Sequence, residues 1–272
     1  MGMATSMRRE KINKYFIIGS FIVTVFILIA IFAPILAPYN PHDLFQPYLS
    51  PSSDHLLGTN DIGNDILSEL IYGTRTSISI GVFTAFIVTF VGTSLGLIAG
   101  YFGNKVDKTI TAFTNIVMGI PYLPLAMLLI AFMKPGKLNL IIAISITGWT
   151  YTCRIIRAKT KELVVLPYIK IEKSLGLNNF VIIYKHLLPN LIDIVMTRGA
   201  LSVASAMMTE SGLSFLGLGS FGEKSWGSIL RYAFYRNAIM KNQYWWYVPP
   251  IICTSLVVLG FILMGYYGEK ND

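Results

Sequence analysis

Long apolar runs, rather than short alternating or helical-period stripes, set the pattern of this chain. Six of them stand at residues 15–36, 78–101, 109–133, 138–153, 191–218 and 248–267. A helix needs about 20 mostly apolar residues to cross the hydrocarbon core of a bilayer. The pattern therefore predicts an all-α integral membrane protein with six transmembrane helices. The first run is longer than the roughly 7–15 residues of a signal-peptide core, and no convincing small-x-small cleavage site follows it, so a retained helix is expected there. The second is rich in Gly, Ser and Thr, which let helices approach closely in lipid. The third carries Pro121 and Pro124 near its middle. Those prolines should kink or break it, which a membrane tolerates only where the freed backbone groups are buried in protein or face a wet cavity.

One interruption is unlike a plain loop. The polar stretch 154–190 includes "IEKSLGLNNFVIIYKHLLPN", residues 171–190. From residue 166 on it reads as two short helices with a break between them. Pro167 suits the first turn of one, Gly176 the left-handed position just past its end, and Asn178 or Asn179 the N-cap of the next. In that second helix Phe180, Ile183, Tyr184 and Leu187 fall at i, i+3, i+4 and i+7, one apolar stripe. Lys185 and His186 flank the stripe, and Pro189 should stop the helix. Such an amphipathic pair either presents its stripe to a partner surface or lies on lipid headgroups. The chain divides into 1–77, an N-terminal segment with the first transmembrane helix and a polar segment, and a five-helix core at 78–272 that carries the stretch 154–190.

Composition and charge sharpen this reading. The chain is 54% hydrophobic and 13% charged, whereas a soluble domain carries about 25% charged residues. Its net charge of +8 does not signal nucleic acid, because Lys and Arg gather at the ends of apolar runs, where they write topology. They fall about two to one on the side that holds the N-terminus, 154–190 and the C-terminus. That side is expected to be cytoplasmic, with 39–77 outside. No phosphate-cradling Gly-rich loop and no nucleophile elbow is present. Cys153 and Cys253 fit neither a disulfide framework nor a metal site and read as small core residues. His42, His55 and His186 are scattered. His55, Asp61 and Asp65 share the outward segment, but no metal site is expected of them.

Four segments carry a family resemblance. Gly176, then nine residues, then "HLLP" matches the coupling loop of binding-protein-dependent ABC importers, EAA-x3-G-x9-I-x-L-P. "HLLGTNDIGNDILSELIYGTRTSISIG" resembles HPLGTDxxGRDxxSRxxYGARxSLxxG of the dipeptide/oligopeptide/nickel permease family. "GLIAGYFGNKVD" resembles its GLxAGYxGGxxD, and "ESGLSFLGLG" followed by "SWGSIL" resembles its EASLSFLGLG…SWGxML. Order and spacing extend over nearly the whole chain, and the block "LSFLGLG" with "SWG" resembles the C-type subunit. The resemblance implies an ABC importer type I permease core (MetI-like) with a cytoplasmic coupling helix, in a bacterial cell membrane. It implies half of a translocation path for peptides or a nickel or other metal chelate, shared with a second related permease. ATP and Mg would bind one or two partner ABC ATPase subunits, this chain holding no cofactor, and an extracytoplasmic solute-binding protein would deliver the cargo. The ATPase-coupling residues would be Lys170, Ile171, Glu172, Gly176, Phe180, Ile183, Tyr184, His186, Leu187 and Pro189. The chain departs from the family pattern at Lys170, where the motif opens with Glu and the nearest acid is Glu172. It departs also at Asn64 for Arg, at Leu56 for Pro, and in the short tail "GYYGEKND".

Residues expected in the translocation path are Pro121, Pro124 and Glu210. The competing reading is a stand-alone secondary transporter or channel, which would place its coupling charges inside the membrane. Asp193, Arg198 and Glu210 are the available candidates. Asp193 suits a helix N-terminus and Arg198 suits snorkelling, which leaves Glu210, deep in the fifth run, as the acid to explain. A membrane scaffold would need neither the mid-helix prolines nor the amphipathic knob.

Overall fold

The computed structural model describes residues 14–220 and 222–268. The basic stretch before Lys14 and the end of the C-terminal tail, on which part of the orientation argument rests, lie outside the described residues. The named elements of the described chain are all helical: α1 Lys14–Ile31, α2 Ala33–Leu36, α3 Ile66–Phe102, α4 Asn104–Met118, α5 Tyr122–Met133, α6 Lys137–Val164, α7 Pro167–Ser174, α8 Asn179–Val181, π-helical turns at Ile182–Leu187, α9 Leu188–Asn190, α10 Ile192–Phe215, α11 Trp226–Tyr235 and α12 Tyr244–Tyr267. By length and composition, α1, α3, α6 and α12 can each cross a membrane. The pair α4–α5, bent by 85°, and the helical stretch Asn179–Asn190 with α10, bent by 68°, bring the number to as many as six. Phe21, Phe83, Phe86, Phe90 and Phe132 stand exposed on these helices, as residues that meet lipid must.

Two helices run further than their apolar runs. α3 begins at Ile66, not at 78, because Asp65 caps it by accepting from the Ser68 N–H at 2.8 Å. The division at 77/78 therefore falls inside one helix. α6 continues past Cys153 to Val164, although 154–164 is polar, because Arg, Ala, Lys and Glu are good helix formers. Polarity ends a membrane span without ending a helix. At about 1.5 Å per residue α3 is some 55 Å long and outruns a hydrocarbon core of about 30 Å.

α3 and α6 form the spine. Gly92, Gly96 and Gly100 line the face of α3 that meets α6. A Cβ at Gly96 would lie 2.8 Å from both the Cys153 carbonyl oxygen and the Ile156 Cβ, and one at Gly100 would lie 2.5 Å from the Thr160 Cβ. Only hydrogen fits there, the small-xxx-small device of membrane helices. At the basic end, Asp107 of α4 ties to α6 through Arg157, bonded by Nε and, at 2.9 Å, by Nη2, and through Lys161 at 2.5 Å. At the opposite end the segment between α2 and α3 is folded rather than loose. His55 Nδ1 lies 2.9 Å from Asp65 Oδ1, and Arg236 Nε donates to Asp61 at 2.7 Å. These partners account for the three residues that invited a metal reading, and no cluster of three or more metal-ligating side chains occurs among the described residues. Asn64 accepts from Lys224 Nζ at 2.9 Å, and the same ammonium reaches buried Glu69 at 2.5 Å.

Candidate functional site

The knob at the basic end is built as a helix, a glycine turn and a second helix. Pro167 opens α7. Gly176 closes it at φ +77°, with the Leu177 N–H donating to the Glu172 carbonyl at 3.3 Å and the Gly176 N–H to the Lys173 carbonyl at 3.2 Å. These are the paired bonds of a Schellman ending, whose left-handed residue is usually Gly. Asn178 caps the next helix, accepting from the Phe180 N–H at 2.9 Å. Glu172 and His186 then meet across the two arms at 3.0 Å. Glu172 is thus engaged inside the knob, while Lys170 stands exposed on it.

The expected single stripe is split. Ile183 and Leu187 are buried, together with Ile182 and Ile169, against Leu97 and Tyr101 of α3 and Ile156 of α6. Phe180 and Tyr184 face outward instead, 70% and 54% exposed, their rings stacked with centroids 5.6 Å apart. The cause is the π-helical register at 182–187, which adds a residue per turn and so brings Ile182 and Leu187 to the inner face. A 3.6-residue period groups Phe180 with Leu187 and misses Ile182 and Ile169. Ile171 of α7 and Leu175, just past its end, are also exposed. The knob therefore presents an apolar and aromatic outer face while its inner face is seated in the bundle. Tyr101 Oη donates to Asn179 Oδ1 at 2.6 Å and helps fix that seat. Pro189 sits within the helical turn Leu188–Asn190, and the chain bends at Leu191 rather than at the proline.

A second feature is a cavity between helices that opens at the surface of the described chain, where Tyr151, Met208 and Tyr266 of its wall stand exposed. Pro121 caps α5 at the sharp break after α4, and Pro124 sits in the first turn of α5, where no intrahelical N–H is needed. The break sets Tyr122 beside α10, where its hydroxyl donates to Thr209 Oγ1 at 2.9 Å. Tyr122 and Thr209 belong to the wall of a cavity of about 570 Å³ between α3, α5, α6, α10 and α12. Arg198, Ser202, Ser205 and Thr84 also line it. Glu210 lines neither this cavity nor a smaller one of about 150 Å³ near Lys224 and Arg231. It is fully buried and accepts from Ser77 of α3 at 3.2 Å and from Ser214 at 2.7 Å. Asp193 stands in the first turn of α10. Tyr122 and Tyr151 in the cavity wall carried no signal in the linear pattern, and Arg198 showed only as a charge suited to snorkelling, because their shared cavity depends on helix packing.

Residues 92–270 match the family of binding-protein-dependent transport system inner membrane components, and residues 3–60 match the N-terminal TM domain of oligopeptide transport permease C. The chain is 35% identical over 266 residues to the dipeptide transport system permease protein DppC of Alkalihalophilus pseudofirmus, covering 96% of this chain and 86% of that one. It is 34% identical over 227 residues to the oligopeptide transport system permease protein OppC of Bacillus subtilis, covering 82% and 74%. It is 32% identical over 247 residues to the glutathione transport system permease protein GsiD of Pectobacterium atrosepticum, covering 89% and 81%. Among solved structures, a chain of the inward-facing MetNI methionine ABC transporter aligns with 70% of this chain and 94% of its own length, at 17% identity and a TM-score of 0.52, a likeness of fold.

Proposed function

Since this chain belongs to the family of binding-protein-dependent transport system inner membrane components, we propose that it is the C-type permease of an ATP-driven importer of short peptides. The observation that carries this reading is the knob: a rigidly seated inner face and an exposed apolar outer face with Phe180, Tyr184, Ile171 and Leu175. A permease without a nucleotide site must receive motion from a separate ATPase, and such a knob transmits force because its inner face cannot slide on α3 and α6. Gly176, the Glu172–His186 contact and the buried Ile183 and Leu187 hold its shape. Lys170, Ile171, Phe180 and Tyr184 meet the partner, and Pro189 links the knob to α10. ATP would drive the cycle by binding one conformation of the partner better than the other.

The assembly proposed is a second related permease, one or two ABC ATPases that hold ATP and Mg, and an extracytoplasmic solute-binding protein. The basic end faces the cytoplasm with both termini, and each bent pair makes one span, giving six. The relatives named above are, by name, dipeptide, oligopeptide and glutathione systems. On that ground a short peptide rather than a metal chelate is the proposed cargo. Pro121 and Pro124 belong to the path by making the break that sets Tyr122 into the cavity. Glu210 acts on it indirectly, by holding α10 against α3.

The test is uptake of a labelled tetrapeptide by cells carrying the whole complex. Uptake should cease when the partner ATPase is replaced by a hydrolysis-dead variant. Uptake that persists without hydrolysis would instead make this chain a secondary transporter or channel.

A further inference from the structure

The 570 Å³ cavity holds more than an opening between helices. Among the described residues Arg198 is the sole cationic side chain in its wall, and no Asp or Glu lines it. The guanidinium lies over the Tyr151 ring, 4.6 Å from its centroid, and both side chains belong to the cavity wall. Its buried Nε has no hydrogen-bond partner among the described residues. Thr84 Oγ1, in the same wall, is likewise buried without a partner. Both atoms belong to side chains of the cavity wall, whereas most buried polar groups are paired.

The α10 side of the wall is a ladder. Arg198, Ser202, Ser205 and Thr209 follow at i, i+4, i+7 and i+11 and share one helix face. From Arg198 to Thr209 the rise is about 16 Å at 1.5 Å per residue. An extended peptide of about five residues at 3.3 Å each has that length. Val88, Ile144, Leu201 and Ile262 supply apolar wall between the polar rungs.

We infer that this cavity is a cargo site in which Arg198 holds the C-terminal carboxylate of a short peptide and the hydroxyls of α10 follow its backbone. The inference rests on the peptide-importer reading and adds the residue that recognises the cargo. Arg suits the task because its planar fork meets a carboxylate with two parallel bonds, and it stays charged beside an aromatic ring. The absence of an acid in the wall leaves no anchor for the peptide's ammonium. The site therefore reads the carboxylate end and tolerates sequence elsewhere.

The experiment uses the permease–ATPase complex in phosphatidylcholine nanodiscs, without nucleotide or binding protein. Met208, exposed in the cavity wall, is replaced by Cys as an alkylation reporter, and the chain without the reporter supplies the background from Cys153 and Cys253. Tetra-alanine should slow alkylation at a concentration about tenfold lower than its C-terminal amide, the scale of a hydrogen bond to a charged group. Arg198→Gln should bring the acid to the level of the amide, and Arg198→Lys should retain part of the difference. Equal protection by acid and amide with Arg198 intact, or protection by neither, overturns the inference without any variant. So does a Gln variant that keeps the acid's advantage. If adding phosphatidylglycerol to the nanodisc removes that advantage, the guanidinium binds lipid headgroups and the cargo site is refuted. ATP-dependent uptake of tetra-alanine by the same complex is measured separately. A complex that imports the peptide yet shows no acid advantage loses only the Arg198 site, whereas one that imports no peptide loses the underlying reading.

Discussion

Gly176 is the joint on which the knob's shape depends, and its environment separates two ways a substitution can act. Its φ is +77°, and a Cβ built there meets nothing within 4 Å. Sterics with the rest of the chain therefore play no part, and the cost of a side chain is the left-handed backbone itself. That cost is about 1–2 kcal/mol for an L-residue, less for Asn, whose short polar side chain bonds locally. A β-branched residue at positive φ is a genuine outlier. One pKa-unit equivalent, about 1.4 kcal/mol, is tenfold in population. Gly176→Val should therefore reduce the fraction of correctly shaped knobs by on the order of tenfold. Peptide uptake per ATP hydrolysed should fall in proportion, while the chain still inserts and co-purifies with its partner permease. Gly176→Ala should fall between, and Gly176→Asn should stay near the parent. The assay is uptake and hydrolysis measured on the same reconstituted complex. Normal uptake by the Val variant would falsify the argument. Equal loss in Ala, Asn and Val would refute its cause, because a partner surface packed against Gly176 penalises any side chain alike.

Other outcomes follow from the packing. Gly96→Ala puts a methyl group against the Cys153 carbonyl and Ile156 and should cost about 1–3 kcal/mol of overpacking. It should appear as a lower unfolding midpoint in detergent, whereas Gly212→Ala, whose Cβ meets nothing, should leave the midpoint unchanged. Lys224→Met strands Glu69, whose side chain is 3% exposed. About 3–5 kcal/mol is expected for an uncompensated buried charge, and a double variant with Glu69→Gln should regain stability; no regain would mean the pair is not coupled. Cysteines at Ser53 and Lys170, both exposed, should label from opposite sides of the membrane with an impermeant reagent, Ser53 from outside. Labelling of Lys170→Cys in intact cells inverts the proposed orientation. Glu210→Gln keeps the shape of the buried side chain that accepts from Ser77 and Ser214 and removes the charge. Uptake per assembled complex should drop while assembly holds, and an unchanged rate makes the carboxylate purely structural.

What the sequence determined by itself is everything that depends on composition and short-range geometry. A stretch of about 20 apolar residues is long enough to cross a bilayer, so the four helices that can each cross a membrane were legible without contacts. The prolines of 121–124 announced a broken helix because a ring without an N–H cannot continue the ladder. Pro167, Gly176 and Asn178 marked the knob because caps and left-handed turns are chosen by local chemistry, and each sits where expected. The tertiary structure decided the rest. It turned Phe180 and Tyr184 outward and Ile182 inward through π-helical turns, a register the 3.6-residue period does not contain. It buried Glu210 among serines from helices more than a hundred residues apart in the chain. It also set Arg198 over the Tyr151 ring, in the wall of a cavity that Tyr122 helps to line. No local pattern encodes such neighbours, because they meet only when helices distant in sequence pack side by side.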